Sequence, residues 1–273
     1  HFKECDIRDI TTVEADKIPE HNLLCAGFPC QTFSIAGKRK GFDDTRGTLF
    51  YEIARIASHH RPRHLLLENV KGLLGHDSGK TIQTMLRVFT NLGYRIEWQV
   101  LNSKHFGVPQ NRERIFIVGH LREECSGKVF PIRQSTEIST EGNIREAKDI
   151  AGTINTKNQS PQWQFDASTT LIEVTKNVAD AHRVYKSSGL AKTLKGLGGG
   201  MGAKTGLYQL DDSKIRRLTP TECERLQGFP DGWTATGADG ESMSDTQRYK
   251  QLGNAVTTTV ISAIGSRMME TCK

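Results

Sequence analysis

Four residues could carry covalent or proton chemistry: Cys30, Glu68, Arg112 and Arg114. Cys30 follows Pro29 at the end of an apolar run, Leu23 to Phe28. Small and polar residues come next, then a glycine-bounded basic loop, Gly37-Lys38-Arg39-Lys40-Gly41. A thiolate at that place is a nucleophile beside cationic charge, suited to attack on something large and anionic. Glu68 lies near the end of a second apolar run, His64 to Val70. A carboxyl at a buried strand end is expected to have a raised pKa, and so to hold or donate a proton near neutrality. Arg112 and Arg114 stand two apart, which on a strand places them on one face. Their rigid guanidinium forks suit a carbonyl oxygen or a phosphate. Taken singly, each has a plainer reading: an inert core thiol, a structural carboxylate paired with a cation, and a solvated strand edge.

The flanking elements must bring these residues together. Pro29 has no amide hydrogen and stops sheet pairing just before Cys30. Leu49, Phe50, Ile53, Ile56 and Ala57 fall on one helical face, and Ile82, Met85, Leu86, Phe89 and Leu92 mark a second helix closed near Gly93. Arg95 to Leu101 and Arg114 to Val118 read as further strands. Strands alternating with helices predict an α/β fold, a doubly wound and mostly parallel sheet with helices on both faces. Ligands bind at the C-terminal strand ends of such sheets, where both Cys30 and Glu68 stand.

The character changes over 129–214, which is rich in Ser, Thr, Gly, Asn and Lys and has only short β-like pieces, Thr169 to Val174 and Gly206 to Leu210. This predicts a smaller, irregular, β-rich lobe. Its glycine run between Lys195 and Lys204 would let backbone approach a partner closely. Order returns over 215–273. Thr219-Pro220-Thr221-Glu222 is a capping box with proline in the first turn, Gly228 is a C-cap, and a last helical stretch from Thr246 to Met269 is interrupted at Gly253-Asn254. The expected organisation is therefore a main domain, 1–128, a second domain, 129–214, and a return to the first, 215–273.

Composition narrows the class. A chain of 273 residues with 36% hydrophobic and 25% charged residues suits a globular protein with one sizeable core. It has no apolar run of about 18 residues, so no membrane-spanning helix is predicted. The start shows no secretory signal. The six cysteines (5, 25, 30, 125, 223 and 272) form no Cys-x-x-Cys pair, so neither a metal site nor a disulfide framework is expected, and a reducing cytoplasm is. A net charge of +6 is compatible with a polyanionic partner.

Pro29-Cys30-Gln31, Glu68-Asn69-Val70 and Gln110-Asn111-Arg112-Glu113-Arg114 together resemble the signatures of the DNA cytosine carbon-5 methyltransferases, the bacterial modification enzymes of restriction-modification systems in particular. Arg46 through Phe50, Arg217 through Pro230 and Gln251-x-Gly253-Asn254 extend the resemblance over almost the whole chain. It implies a Rossmann-like methyltransferase fold and transfer of a methyl group from S-adenosyl-L-methionine to cytosine in duplex DNA, with the base flipped out of the stack. Cys30 would add to ring carbon 6, Glu68 would hydrogen-bond the ring nitrogen and exocyclic amine, and Arg114, supported by Arg112, would hold the base carbonyl. Gln31, Ser34, Lys38, Arg39, Arg46 and Gln110 would lie toward DNA. The 129–214 lobe would be the target-recognition domain, with Thr193 and the glycines Gly199 and Gly200 against DNA.

On the cofactor side, Asp6, Ile7, Pro29, Leu49, Asn254, Ala255 and Val256 match family positions, with Ala255 in place of a frequent serine. The family's opening Phe-x-Gly-x-Gly turn and the following acidic residue have no counterpart. The resemblance thus implies an absent first strand, in a fragment or in a chain completed by a separate polypeptide. Two other functions stay open at this point: a DNA-binding remnant or subunit without catalysis, and a tRNA cytosine-5 methyltransferase.

Overall fold

The predicted alternation is realised in a sheet of four strands, β1 (Leu23–Gly27), β2 (His64–Val70), β3 (Tyr94–Asn102) and β4 (Glu113–Leu121), in the spatial order β1-β2-β4-β3. The structure is a computed structural model that describes residues 8–28, 49–121, 127–134, 172–175, 178–187, 189–196, 202, 204–210, 214–237 and 239–271. The described residues of Glu4–Leu101, Glu113–Ile132 and Ile264–Lys273 form one compact unit, and those of Asn102–Arg112 and Arg133–Ala263 form another.

In the sheet unit, β1 and β2 run parallel, with Leu23 opposite His64 and Gly27 opposite Glu68. The helix α1 (Leu49–His60) lies between them in sequence, as a parallel crossover requires. β4 lies antiparallel to β2, with Glu68 opposite Phe116 and Val70 opposite Arg114. The described part of the sheet is therefore mixed. Residues 103–112 between β3 and β4 are too few for a crossover helix. The apolar run Leu23 to Phe28 reads as a buried strand, and the structure corrects this: along β1, at the edge of the described sheet, exposed and half-buried residues alternate, with Leu23 44% exposed and Cys25 exposed.

The periodicities read from sequence mark the core. Phe50, Ile53 and Ala57 of α1, and Ile82, Met85 and Phe89 of α2 (Lys80–Asn91), join Leu65, Leu67, Ile115 and Ile117 of the strands in one apolar cluster. The Phe50 and Phe89 rings meet edge to face at 5.4 Å. Burying each such ring contributes about 2–3 kcal/mol, so this cluster gives the strand ends that carry the site a rigid base.

The second unit has a sheet of three short strands, β5 (Val184–Lys186), β6 (Leu207–Gln209) and β7 (Ile215–Arg217), parallel between β5 and β6 and antiparallel between β6 and β7. Helices α3 (Pro220–Leu226) and α4 (Asp245–Asn254) follow, and then α5 (Thr258–Thr271). The capping box of α3 forms as expected: Glu222 N donates to Thr219 Oγ1 at 3.2 Å, and Thr219 N donates to Glu222 Oε2 at 2.6 Å. Tyr185, Leu194, Tyr208, Leu218, Leu226, Tyr249 and Leu252 build this unit's core. No helix among the described residues is long and apolar enough to cross a membrane.

Candidate active site

The C-terminal end of β2 carries the candidate carboxylate and its partner. Glu68 Oε1 meets Arg114 Nε at 2.9 Å, with both side chains mostly shielded. Strand pairing produces this contact: Val70 stands opposite Arg114 on the antiparallel neighbour, which puts the guanidinium two positions beyond the Glu68 pair. Arg114 Nη1 also donates to Glu113 O at 2.8 Å, which holds the fork in place. Burial holds the Arg114 guanidinium below its ordinary value, and the Glu68 carboxylate offsets only part of that.

On the other side of β2, Gly27 faces the same carboxylate. A Cβ at Gly27 would lie 3.3 Å from Glu68 Oε2, so the absence of a side chain leaves the carboxylate its room. The next residue of β2, Asn69, is 2% exposed and donates from Nδ2 to Phe28 O at 2.8 Å. This edge holds a carboxylate acceptor, a guanidinium donor and an anchored strand end. Such a set can grip a planar heterocycle that presents an amine and a carbonyl on one edge.

Arg112 behaves differently from the paired arginine expected at i and i+2. β4 begins at Glu113, so strand alternation does not extend back to Arg112. Its side chain is buried in the second unit. Nη1 donates to Leu194 O at 3.1 Å, and Nη2 donates to Gly253 O at 3.2 Å and Ala255 O at 2.7 Å. Gln110, expected on the DNA side, is fully buried and donates from Nε2 to Leu226 O at 3.1 Å. Thr193 is half-buried, and its hydroxyl donates to Asn111 O at 2.5 Å.

Of the residues expected on the cofactor side, Leu49 opens α1 and packs half-buried against the sheet unit's core. In the second unit Asn254 is exposed, and Ala255 and Val256 are half-buried at the break between α4 and α5. Backbone passes very close there: a Cβ at Gly253 would lie 2.0 Å from Gly196 N. The turn is also fixed by a buried polar chain, in which Gln227 Nε2 donates to Leu252 O at 2.8 Å and Thr257 Oγ1 to Gln227 Oε1 at 2.8 Å. An exposed amide beside half-buried apolar carbons fits a ligand that is partly polar and partly apolar, such as a nucleoside. Glu224, a further buried carboxylate, is committed to structure: it accepts from Thr234 N at 2.8 Å, Gly232 N at 2.7 Å and Arg248 Nη2 at 3.0 Å. Burial pushes its carboxyl up, and the bonds from Thr234, Arg248 and Gly232 outweigh that and leave it below the ordinary carboxylate value.

Cys30, Pro29, Gln31, Ser34, Lys38, Arg39, Arg46, Asp6, Ile7, Gly199 and Gly200 lie outside the described residues. No group of three or more His, Cys, Asp or Glu side chains among the described residues is arranged to hold a metal ion. Sequence reasoning gave no part to Gly27 or Asn69. Asn69 lies inside a signature stretch and Gly27 two residues before another, but their use depends on the β1–β2 register, which no local pattern specifies.

Residues 1–270 match the family model described as C-5 cytosine-specific DNA methylase. The chain is similar to the Type II methyltransferase M.HhaI of Haemophilus parahaemolyticus, 37% identical over 276 residues that make up 97% of this chain and 80% of that protein. It is likewise similar to the Type II methyltransferase M.NlaX of Neisseria lactamica, at 40% identity over 98% of this chain and 82% of that protein. Among solved structures, the Dnmt2 methyltransferase of S. pombe superposes with a TM-score of 0.67 at 21% identity, over 96% of this chain and 83% of that one. An E. coli prophage-encoded protein, described as a putative DNA modification methyltransferase, does so with a TM-score of 0.62 at 18% identity, over 97% of this chain and 85% of that one. The fold is the α/β methyltransferase fold.

Proposed function

We propose that this chain, which belongs to the family of C-5 cytosine-specific DNA methylases, methylates carbon 5 of cytosine within a specific duplex DNA sequence. The observation that carries the reading is the 2.9 Å pair of Glu68 and Arg114 at the C-terminal end of β2. Cytosine presents an exocyclic amine, a ring nitrogen and a carbonyl in sequence along one edge. A carboxyl group and a guanidinium held side by side match that order of donors and acceptors.

Carbon 5 of cytosine is a poor nucleophile. In the proposed reaction the Cys30 thiolate adds to carbon 6, and the ring becomes enamine-like with its electron density at carbon 5. Glu68 in its protonated form donates to the ring nitrogen and accepts from the amine through its other oxygen, and Arg114 holds the carbonyl, so charge developing on the ring meets fixed partners. S-adenosyl-L-methionine, when bound, supplies an electrophilic methyl group. Asn254, Ala255 and Val256 are the described residues of the second unit that would contribute to holding it. Loss of the carbon-5 proton to solvent water then restores the double bond and expels the Cys30 thiolate. The target carbons are stacked inside a duplex, so the base is flipped out for reaction. Arg112 has a supporting part in this reading, by holding the backbone of Leu194, Gly253 and Ala255 within the second unit. The 129–214 segment, with Thr193, is the target-recognition part in this reading. Its likeness to Type II methyltransferases supports a modification role of the kind found in restriction-modification systems.

The test is transfer of a labelled methyl group from S-adenosyl-L-methionine to mixed-sequence duplex DNA by the full chain, beside Cys30→Ala and with tRNA as a second substrate. Transfer to duplex DNA that Cys30→Ala abolishes is the expected result. Undiminished transfer by Cys30→Ala would overturn the covalent route. Methylation of tRNA but not duplex DNA would overturn the substrate, and specific DNA binding without transfer would reduce the protein to a DNA-binding role.

A further inference from the structure

We propose that Gln227 is a positioning residue for the cofactor-side turn Asn254-Ala255-Val256, held in that part by Thr257 and Ser103; this rests on the reading of the turn given above. The turn joins α4 to α5, and at Ala255 the backbone is extended, with φ −66° and ψ 160°. A break of this kind leaves unpaired groups on both sides. The last carbonyls of α4 have no donor within their helix, and the first amides of α5 have no acceptor within theirs. Gln227, which follows α3 and is fully buried, serves both ends. Its Nε2 donates to Leu252 O at 2.8 Å, and its own carbonyl accepts from Thr258 N at 2.9 Å. One residue therefore sets the separation of the two helix ends between which Asn254, Ala255 and Val256 stand.

The chemistry of the groups fixes how the protons run. A backbone carbonyl only accepts, so the amide nitrogen of Gln227 must face Leu252 O, and Oε1 is left to accept from Thr257 Oγ1 at 2.8 Å. That spends the one hydroxyl proton of Thr257. The Ser103 hydroxyl, 2.8 Å from Thr257 Oγ1, must then be the donor of that pair. Ser103 is itself anchored, since its N donates to Arg112 O at 3.0 Å. Every bond in the series Ser103, Thr257, Gln227, Leu252 points the same way, and Ser103, Thr257 and Gln227 are all buried. Turning the glutamine amide over would set oxygen against oxygen at Leu252, so the series has one favoured arrangement. It holds the turn in one shape before a ligand arrives, which lowers the ordering cost of binding.

The experiment is calorimetric titration of the full chain with S-adenosyl-L-methionine in the absence of DNA, with thermal unfolding of each variant and steady-state KM for cofactor and for DNA alongside. Thr257→Val nearly keeps the shape and removes the hydroxyl, so Gln227 Oε1 loses its donor and the Ser103 hydroxyl this acceptor. Gln227→Glu sets a carboxylate oxygen against Leu252 O. Each should weaken cofactor binding about 10-fold and raise KM for the cofactor alike, with KM for DNA moving less than about 3-fold. Thr257→Ser restores the hydroxyl and should bind within about twofold of wild type. Amide hydrogen exchange over residues 252–258, measured without cofactor, should lose about 10-fold protection in Thr257→Val and keep it in Thr257→Ser. Cofactor binding within about twofold of wild type in Thr257→Val would overturn the proposal. So would an equal loss in Thr257→Ser, or an equal rise in KM for DNA. If the double variant Asn254→Ala, Val256→Ala binds the cofactor as wild type does, the reading of the turn itself has failed and the proposal falls with it. If Gln227→Glu does not fold, Thr257→Val decides.

Discussion

Arg112→Ala removes three hydrogen bonds with one substitution, and its cost can be worked from the acceptors. Gly253 O lies in the last turn of α4, where carbonyls have no partner within the helix, and Ala255 O follows the helix end. A cation there also faces the negative end of the helix dipole. Leu194 O comes from a separate stretch of the same unit, so the guanidinium joins two segments. An orphaned buried carbonyl costs about 1–3 kcal/mol. Ala255 O keeps a weaker donor, Gln227 Nε2 at 3.5 Å, and is the least affected. Losing the buried charge itself recovers part of the penalty. The sum is about 4 kcal/mol for Arg112→Ala and about half that for Arg112→Lys, whose compact ammonium cannot span three carbonyls. Amide hydrogen exchange over residues 245–257 and 191–196 measures this directly. About 4 kcal/mol corresponds to roughly a thousandfold loss of protection. The two stretches should loosen together, because one side chain holds both. A loss below about tenfold, or loosening of one stretch alone, would refute the idea that Arg112 joins them.

Gly27→Ala brings a Cβ to 3.3 Å from Glu68 Oε2, and the carboxylate must give by a few tenths of an ångström. Methyl-transfer kcat should fall about 3- to 10-fold with the melting temperature nearly unchanged, and an unaltered rate would show that the pair tolerates the shift. Glu68→Gln keeps shape but not charge, and should slow single-turnover methyl transfer about 100- to 1,000-fold. A loss under tenfold would remove Glu68 from the reacting set. Burial, aided by His64 and the Arg95 guanidinium, holds His120 at about 4, below the ordinary value of 6.5. The unfolded chain then takes up the proton first, so this contribution is complete above about pH 6.5 and is lost as pH falls toward about 4. It amounts to at most about 3 kcal/mol. Urea midpoints between pH 7 and 4 should show a slope that His120→Gln largely removes.

The elements were legible in the chain because their signals are local. Apolar spacing marked α1 and α2, and their Phe50, Ile53, Ile82, Met85 and Phe89 are buried. The run His64–Val70 is a strand with its polar residues at the far end, and Thr219, Pro220 and Glu222 build the helix start their types require. Covalent geometry and side-chain type act within a few residues, so they can be read in one dimension. Which groups meet is a matter of tertiary pairing. Arg112 and Arg114 look equivalent two residues apart, but the strand starts between them, and one pairs with Glu68 while the other holds the carbonyls of Leu194, Gly253 and Ala255. Gln110 is polar by type and buried in place, since the acceptor that satisfies its amide nitrogen, Leu226 O, is 116 residues away in the chain. Gly27 and Asn69 acquire their parts only when β1 and β2 pair in one register, which sets Gly27 against the carboxylate and Asn69 against the Phe28 carbonyl. Register is selected by burial summed over a whole sheet, and no window of sequence contains that sum.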